Sequence, residues 1–168
     1  MVSFVLFKKK AIMYFSIIIP VFNRPDELDE LLLSLCEQTY NKFEVIIVED
    51  GSELKSDKVA GKYIGKLNIN YFEKVNSGPG LSRNAGAERA QYDWLIFFDS
   101  DCIIPEHYLE NVVIYLTDHH TDAYGGPDAA LPDFTTVQKA INYSMTSLFT
   151  TGGIRGSKKS MDKFHPRS

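Results

Sequence analysis

The segment 94–101, with the sequence WLIFFDSD, constrains the fold more than any other part of the chain. An unbroken run of large apolar residues, rich in aromatics, is typical of a strand buried on both faces in a parallel sheet. The run ends on Asp99 and Asp101, and a buried carboxylate is costly unless it is paired. We therefore expect both acids to emerge at the end of the strand, where their oxygens suit Mg²⁺ or Mn²⁺. An acidic surface turn is the alternative that this segment alone leaves open.

Two other apolar runs end in the same way. Residues 16–22 (SIIIPVF) precede Asn23, and residues 43–48 (FEVIIV) precede Glu49 and Asp50. Each run is followed by a helical pattern, and ligands of open α/β sheets bind outside the carboxyl ends of the strands. Acids that converge there without a cation would repel one another. The sequence therefore predicts one metal–nucleotide site at this edge of the sheet.

Composition and element order indicate the fold class. The chain has 168 residues, enough for one domain with a core, and its 44% hydrophobic content is ordinary for a globular protein. A net charge of -4 argues against a nucleic-acid partner. Strands alternating with helices predict an α/β fold with a mostly parallel central sheet flanked by helices. Beyond the three runs, we predict a short strand at 69–72, a fifth strand from 123, and helices from Pro25, within 52–66, at about 81–90, from Pro105 to 116 and at 134–149.

Four motifs carry a family resemblance. They are SIIIPVFN at 16–23, VEDGS at 48–52, NSGPGLSRNAG at 76–86 and DSD at 99–101. With these motifs in this order and at this spacing, the chain resembles the family 2 glycosyltransferases, and the resemblance covers nearly the whole chain. Members of that family have the Rossmann-like GT-A fold of nucleotide-diphospho-sugar transferases. The resemblance implies a nucleotide-sugar donor, usually a UDP-sugar, held with Mn²⁺ or Mg²⁺. It also implies inverting transfer to an acceptor hydroxyl in polysaccharide or glycolipid synthesis.

The resemblance also assigns roles to residues. Asp50 would accept a hydrogen bond from the uracil ring, Asp101 would be the principal metal ligand, and Asp99 would lie near the ribose. Arg83 would contact the diphosphate or hold the aspartate loop, with a surface ion pair as the alternative, while Gly86 would permit close helix–sheet packing. Asp128 would contact a sugar hydroxyl, with a plain turn as the alternative, and Asp50 as a simple turn former also remains open. The expected donor-binding set is Pro20, Val21, Phe22, Asn23, Asp50, Asn76, Gly78, Arg83, Asp99, Ser100, Asp101 and Asp128, with Asp101 and Asp99 as metal ligands.

The family's catalytic base is not found in this sequence. It is an acid within a later Glu-Asp pair, and no such pair follows Asp128. We therefore expect a C-terminally truncated fold: an extension at 1–12 that is disordered, a donor-binding domain at 13–151, and a flexible tail at 152–168 leading to a missing acceptor-binding half. The alternative is a catalytically incomplete nucleotide-binding fragment, or a scaffold domain that acts only with a partner.

Other classes of protein fit less well. A dinucleotide-dependent oxidoreductase would need a third glycine where Arg83 stands. A sugar nucleotidyltransferase would need a glycine-rich loop at 23–25. Cys36 and Cys102 are far apart, so a reducing cytoplasmic setting is expected. The resemblance implies that polysaccharide or glycolipid assembly takes place at the inner face of the membrane. Contact of the basic segment 8–10 with that surface is the alternative to a disordered N-terminal extension.

Overall fold

The structure is a computed structural model that describes residues 12–119, 121–123 and 125. Residues up to 119 belong to one compact unit, and the few described after it belong to a second. In the described part, strands and helices alternate as β1 (Phe15–Val21), α1 (Pro25–Cys36), β2 (Phe43–Asp50), α2 (Asp57–Tyr63), β3 (Ile69–Lys74), α3 (Pro79–Ala87), β4 (Trp94–Phe97) and α4 (Tyr108–Asp118). The predicted extension, fifth strand, last helix and tail lie almost entirely outside the described residues.

The described strands form one parallel sheet in the order β3-β2-β1-β4. In the register of the sheet, Ile17 of β1 lies between Val45 of β2 and Ile96 of β4. The predicted α/β fold with a parallel central sheet is thus confirmed. The chain moves outward from β1 through β2 to β3 and then returns to place β4 on the other side of β1. Such a reversal of direction opens a crevice at the carboxyl ends of β1 and β4, which is where ligands of this kind of sheet bind.

The two faces of the sheet have different cores. The first is the larger and is covered by the leucine face of α1, by α2 and by α4; its fully buried members include Ile17, Ile19, Leu28, Leu31, Leu32, Val45, Ile47 and Leu109. The second is made by Ile18, Ile46 and Val48, against which Ala87 of α3 packs. Because side chains of a strand alternate between faces, β1 and β2 can be apolar at successive positions and bury all of them.

Gly86 brings α3 close to the sheet. A Cβ at this position would collide with Cγ2 of Ile18 and would lie 3.2 Å from Cγ2 of Val48. The prediction that this glycine permits close helix–sheet packing is therefore confirmed.

Two predictions about local structure were wrong. The apolar run of β4 is not buried on both faces, since Leu95 and Phe97 are 38% and 46% exposed. The reason is position: among the described strands β4 is at the edge, and a run of apolar letters does not report where a strand lies in its sheet. The helix predicted from Pro105 begins at Tyr108, because the Pro105 carbonyl is held in a turn by the Tyr108 amide and by Nε2 of Gln38, at 2.9 and 2.8 Å.

No helix among the described residues combines the length and hydropathy that crossing a bilayer requires.

Candidate functional site

A cleft of about 400 Å³ opens at the carboxyl ends of β1, β2 and β4. Its volume is in the range of small-molecule sites, and its position is the crevice expected from the strand order. Both apolar and charged side chains line it: Pro20, Val21, Phe22, Arg24, Asp50, Pro79, Arg83, Asp99, Ser100 and Asp101.

Asp50, the last residue of β2, lines the cleft. It is 3% exposed and accepts hydrogen bonds from the amides of Ser77 and Gly78, at 3.0 and 2.8 Å, as well as from the Lys74 ammonium. Burial alone would raise the pKa of Asp50, but Lys74 and the two amides together outweigh it and lower that pKa below its ordinary value. Asp50 is therefore an anion at neutral pH, held in place from several directions.

The loop between β3 and α3 is fastened to this carboxylate. Lys74 also donates to Oγ of Ser77 at 2.5 Å and to the Val75 carbonyl at 3.0 Å. Gly51 has a φ of +71°, and a Cβ there would lie 2.7 Å from the Asn76 amide nitrogen, so only glycine allows the two loops to approach this closely. The loops after β2 and β3 are thus locked together below the start of α3.

Asn23 joins the loop after β1 to the same assembly. It has a φ of +54°, and its Oδ1 accepts hydrogen bonds from the amides of Glu53 and Leu54 at 2.8 and 3.0 Å. The backbone amide of Asn23 donates to Oγ of Ser52 at 2.8 Å. The side chain therefore braces the cleft rather than lining it.

Glu49 organises the loop after β2 from the opposite face of the strand, and sequence reasoning assigned it no role. It is 1% exposed; its Oε1 accepts from Ser52, and its Oε2 accepts from the Ser56 amide at 2.8 Å and the Tyr71 hydroxyl at 3.0 Å. Burial and the charge of Glu49 raise the pKa of Tyr71 above its ordinary value. The signal was present in the sequence: a carboxylate directly before Asp50 in an apolar strand must point to the other face and find donors there.

Two ion pairs join side chains that line the cleft. Nη2 of Arg83 lies 2.5 Å from Oδ1 of Asp99, and Nη1 of Arg24 lies 2.7 Å from Oδ2 of Asp101. All four side chains are between 36% and 65% exposed. The pairing of Arg83 with Asp99 fits both the expectation that this arginine holds the aspartate loop and the alternative of a surface ion pair. Arg24 was not predicted from the sequence, because nothing in its surroundings there indicates a partner 77 residues away.

The acids suit a cation that is shared with a ligand. In the part of the chain that the structure describes, no three His, Cys, Asp or Glu side chains are grouped closely enough to hold a metal ion by themselves. Mg²⁺ commonly binds through one or two carboxylates, with phosphate and water oxygens completing its shell. Asp101 and Asp99 are exposed at the cleft and fit that arrangement.

Most of the predicted donor-binding residues come together. Eight of them line the cleft: Pro20, Val21, Phe22, Asp50, Arg83, Asp99, Ser100 and Asp101. Asn23, Asn76 and Gly78 lie in the loops behind it, and Asp128 lies outside the described residues. Arg24 and Pro79 line the cleft without having been predicted to do so.

Comparison with known proteins places this architecture. The family model described as glycosyl transferase family 2 matches residues 16–166. The chain belongs to glycosyl transferase family 2. It is 35% identical over 114 residues to the poly(ribitol-phosphate) beta-N-acetylglucosaminyltransferase TarS of Staphylococcus aureus, covering 66% of this chain and 20% of TarS. It is 28% identical over 149 residues to the minor teichoic acid biosynthesis protein GgaB of Bacillus subtilis, covering 86% of this chain and 16% of GgaB. The match thus covers a fifth or less of the length of these two relatives.

Comparison with solved structures supports the same family and fold. The crystal structure of S. aureus TarS 1-349 in complex with UDP-GlcNAc matches with a TM-score of 0.62 and 30% identity, over 72% of this chain and 39% of that one. The mannosyltransferase PcManGT from Pyrobaculum calidifontis, in complex with GDP-Man and Mn²⁺, matches with a TM-score of 0.55 over 61% of this chain and 31% of that one. At 19% identity the second likeness shows the fold alone, which is the GT-A fold expected from the sequence.

Proposed function

We propose that this chain is the donor-binding part of an inverting glycosyltransferase that binds a UDP-sugar with Mn²⁺ or Mg²⁺ and transfers the sugar to an acceptor hydroxyl. The observation that carries the proposal is the cleft itself, whose lining combines an anionic acceptor, Asp50, with two acid–arginine pairs. The names of TarS and GgaB support synthesis of a cell-wall polymer as the setting.

Asp50 and Phe22 suit the binding of uracil. A carboxylate has about four lone-pair sites, and the protein's own donors to Asp50 occupy three of them. The remaining site accepts the ring N–H of the base. Phe22 is 49% exposed at the cleft, which leaves its ring available to pack against the face of the base.

The part of the cleft that holds the acid–arginine pairs suits a diphosphate. Arg83 lies in α3, whose N-terminus carries a partial positive charge and begins beside the cleft at Pro79. Asp101, assisted by Asp99, would hold the divalent cation. When bound, that cation supplies a charge that neutralises the leaving nucleotide. Arg83 orients the phosphates through paired N–H donors, and Phe22 with Asp50 fixes the nucleoside.

A second candidate is donor binding without transfer by this chain alone. Each carboxylate that lines the cleft in the described part of the chain is engaged by a basic side chain: Asp50 by Lys74, Asp99 by Arg83, and Asp101 by Arg24. A general base must lie within hydrogen-bond reach of the acceptor hydroxyl, whereas the proposal assigns each of these carboxylates to the donor or its cation. In this reading the chain acts with a partner or with a longer protein.

The test is thermal unfolding of the 168-residue chain with UDP, GDP and dTDP, each with and without Mn²⁺. A nucleotide at about a hundred times its dissociation constant adds about 2.7 kcal/mol to the free energy of unfolding. We expect a manganese-dependent rise in the midpoint with UDP that Asp101→Asn abolishes.

The matched control is Glu73→Gln, which removes an exposed, ion-paired carboxylate outside the cleft and should leave the rise intact. A rise with GDP alone would replace the uracil assignment, and no rise with any nucleotide would contradict donor binding. Release of UDP from UDP-GlcNAc in the presence of an acceptor polymer then separates transfer from binding without transfer.

A further inference from the structure

Arg24 occupies a position that local energetics disfavour. It is the N-cap residue of α1, where Ser, Thr, Asp and Asn are preferred because their side chains accept hydrogen bonds from the first amides. Its side chain makes no such cap, and a cation at a helix N-terminus is opposed by the helix dipole. The side chain extends instead to Asp101 at the cleft.

The partner of Arg24 is the residue that would hold the cation. If Asp101 binds Mn²⁺, as the proposed function states, the guanidinium and the metal ion compete for one carboxylate. The pair is 49% and 54% exposed, and exposed ion pairs contribute little stability, so the contact exchanges readily. Once it leaves Asp101, the guanidinium stays at the cleft, and its fork of N–H donors matches phosphate oxygens.

We propose that Arg24 is an exchangeable counter-ion of the donor site. It holds Asp101 while the site is empty and transfers to the donor diphosphate when the cation takes the carboxylate. This inference rests on the proposed function and adds a residue and a consequence to it. Because each ligand removes one side of the Arg24–Asp101 contact, the diphosphate and the cation assist each other's binding, and this coupling is reciprocal.

The experiment compares the wild type with Arg24→Gln in three titrations: Mn²⁺ alone followed by electron paramagnetic resonance, UDP alone by calorimetry, and UDP at saturating Mn²⁺. We expect Arg24→Gln to tighten binding of Mn²⁺ alone by about 1.4- to 5-fold, the range that loss of an exposed ion pair spans. It should weaken binding of UDP alone, and the factor by which Mn²⁺ tightens UDP should change. Arg24→Lys, which keeps the charge, should stay closer to the wild type.

Two controls make the result specific. Lys55→Gln breaks an ion pair of the same 2.7 Å length and similar exposure, with Glu73 outside the cleft, and should change none of the titrations. In Asp101→Asn the contact is already lost, so adding Arg24→Gln should leave the remaining affinity for Mn²⁺ unchanged. A change that persists in this background would show general charge repulsion and overturn the exchange.

The outcomes separate the two proposals. A wild type that binds UDP with Mn²⁺ while Arg24→Gln alters neither single-ligand affinity overturns the exchange and leaves the proposed function standing. A wild type that binds no nucleotide at any Mn²⁺ concentration overturns the proposed function and the transfer of Arg24 to a diphosphate with it. Unchanged unfolding midpoints without ligand establish that the variants fold, as expected for a side chain that makes no helix cap.

Discussion

Lys74→Met should destabilise the domain far more than an ordinary surface substitution. The ammonium of Lys74 is paired with Asp50, and their side chains are only 19% and 5% exposed. Removing one partner of a buried pair costs about 3–5 kcal/mol because the other charge is left uncompensated. Here Asp50 keeps two amide donors, at 3.0 and 2.8 Å, and methionine preserves the stem of the side chain. We therefore expect a loss of about 2–3 kcal/mol, near the value of one hydrogen bond to a charged group.

Urea unfolding at pH 7 measures this loss, with Lys55→Met as the matched control. Lys55 pairs with Glu73 at 2.7 Å, but the two side chains are 51% and 45% exposed, so the control should lose far less stability than Lys74→Met. A double-mutant cycle with Asp50→Asn isolates the coupling between the two groups. Equal losses in Lys74→Met and Lys55→Met would refute the reasoning that Asp50 is a buried anchor.

Three further predictions concern packing, pH and the buried carboxylate. Gly86→Ala should cost about 1–3 kcal/mol in urea unfolding because the added methyl meets Ile18, whereas Gly80→Ala in the same helix has open space and should cost nothing. Folding lowers the pKa of Asp50, so the stability from its charge is complete above its ordinary pKa of 3.8 and is lost as pH falls through the lower folded value. The stability gap between the wild type and Asp50→Asn should therefore stay constant from pH 7 down to about pH 4 and narrow as the pH falls further; a gap that does not narrow below about pH 4 would contradict this. Glu49→Leu leaves three donors, the Ser52 hydroxyl, the Ser56 amide and the Tyr71 hydroxyl, without their acceptor and should lose about 2–4 kcal/mol in thermal unfolding. A loss smaller than about 1 kcal/mol would argue against its bracing role.

Much of the fold followed from the sequence because its signals are local. Apolar runs punctuated by Asn23, Asp50 and Asp99 define strands and the points where they end. Because the carboxyl ends of parallel strands lie at one edge of the sheet, Asp50 and Asp101 were predicted to lie close together. In the structure both line the same cleft. The spacing of leucines in α1 likewise indicated which face packs on the sheet.

The contacts that tune the site did not follow, because they join distant residues. Arg24 and Asp101 are 77 residues apart, and Glu49 on β2 accepts from Tyr71 on the neighbouring strand β3, 22 residues later. No periodicity encodes which cation meets which acid. The prediction that β4 is buried on both faces, which the exposure of Phe97 contradicts, was wrong for a related reason. The composition of a strand indicates how apolar it is but not whether a neighbouring element covers it.

The most direct test of the account is a crystal structure of the chain grown with UDP and Mn²⁺, with anomalous scattering used to locate the manganese. The account predicts an anomalous peak beside Asp101, a diphosphate between it and Arg83, and uracil within hydrogen-bond distance of Asp50. UDP bound outside the cleft of Phe22, Asp50 and Asp101, or manganese bound away from Asp101, would contradict it.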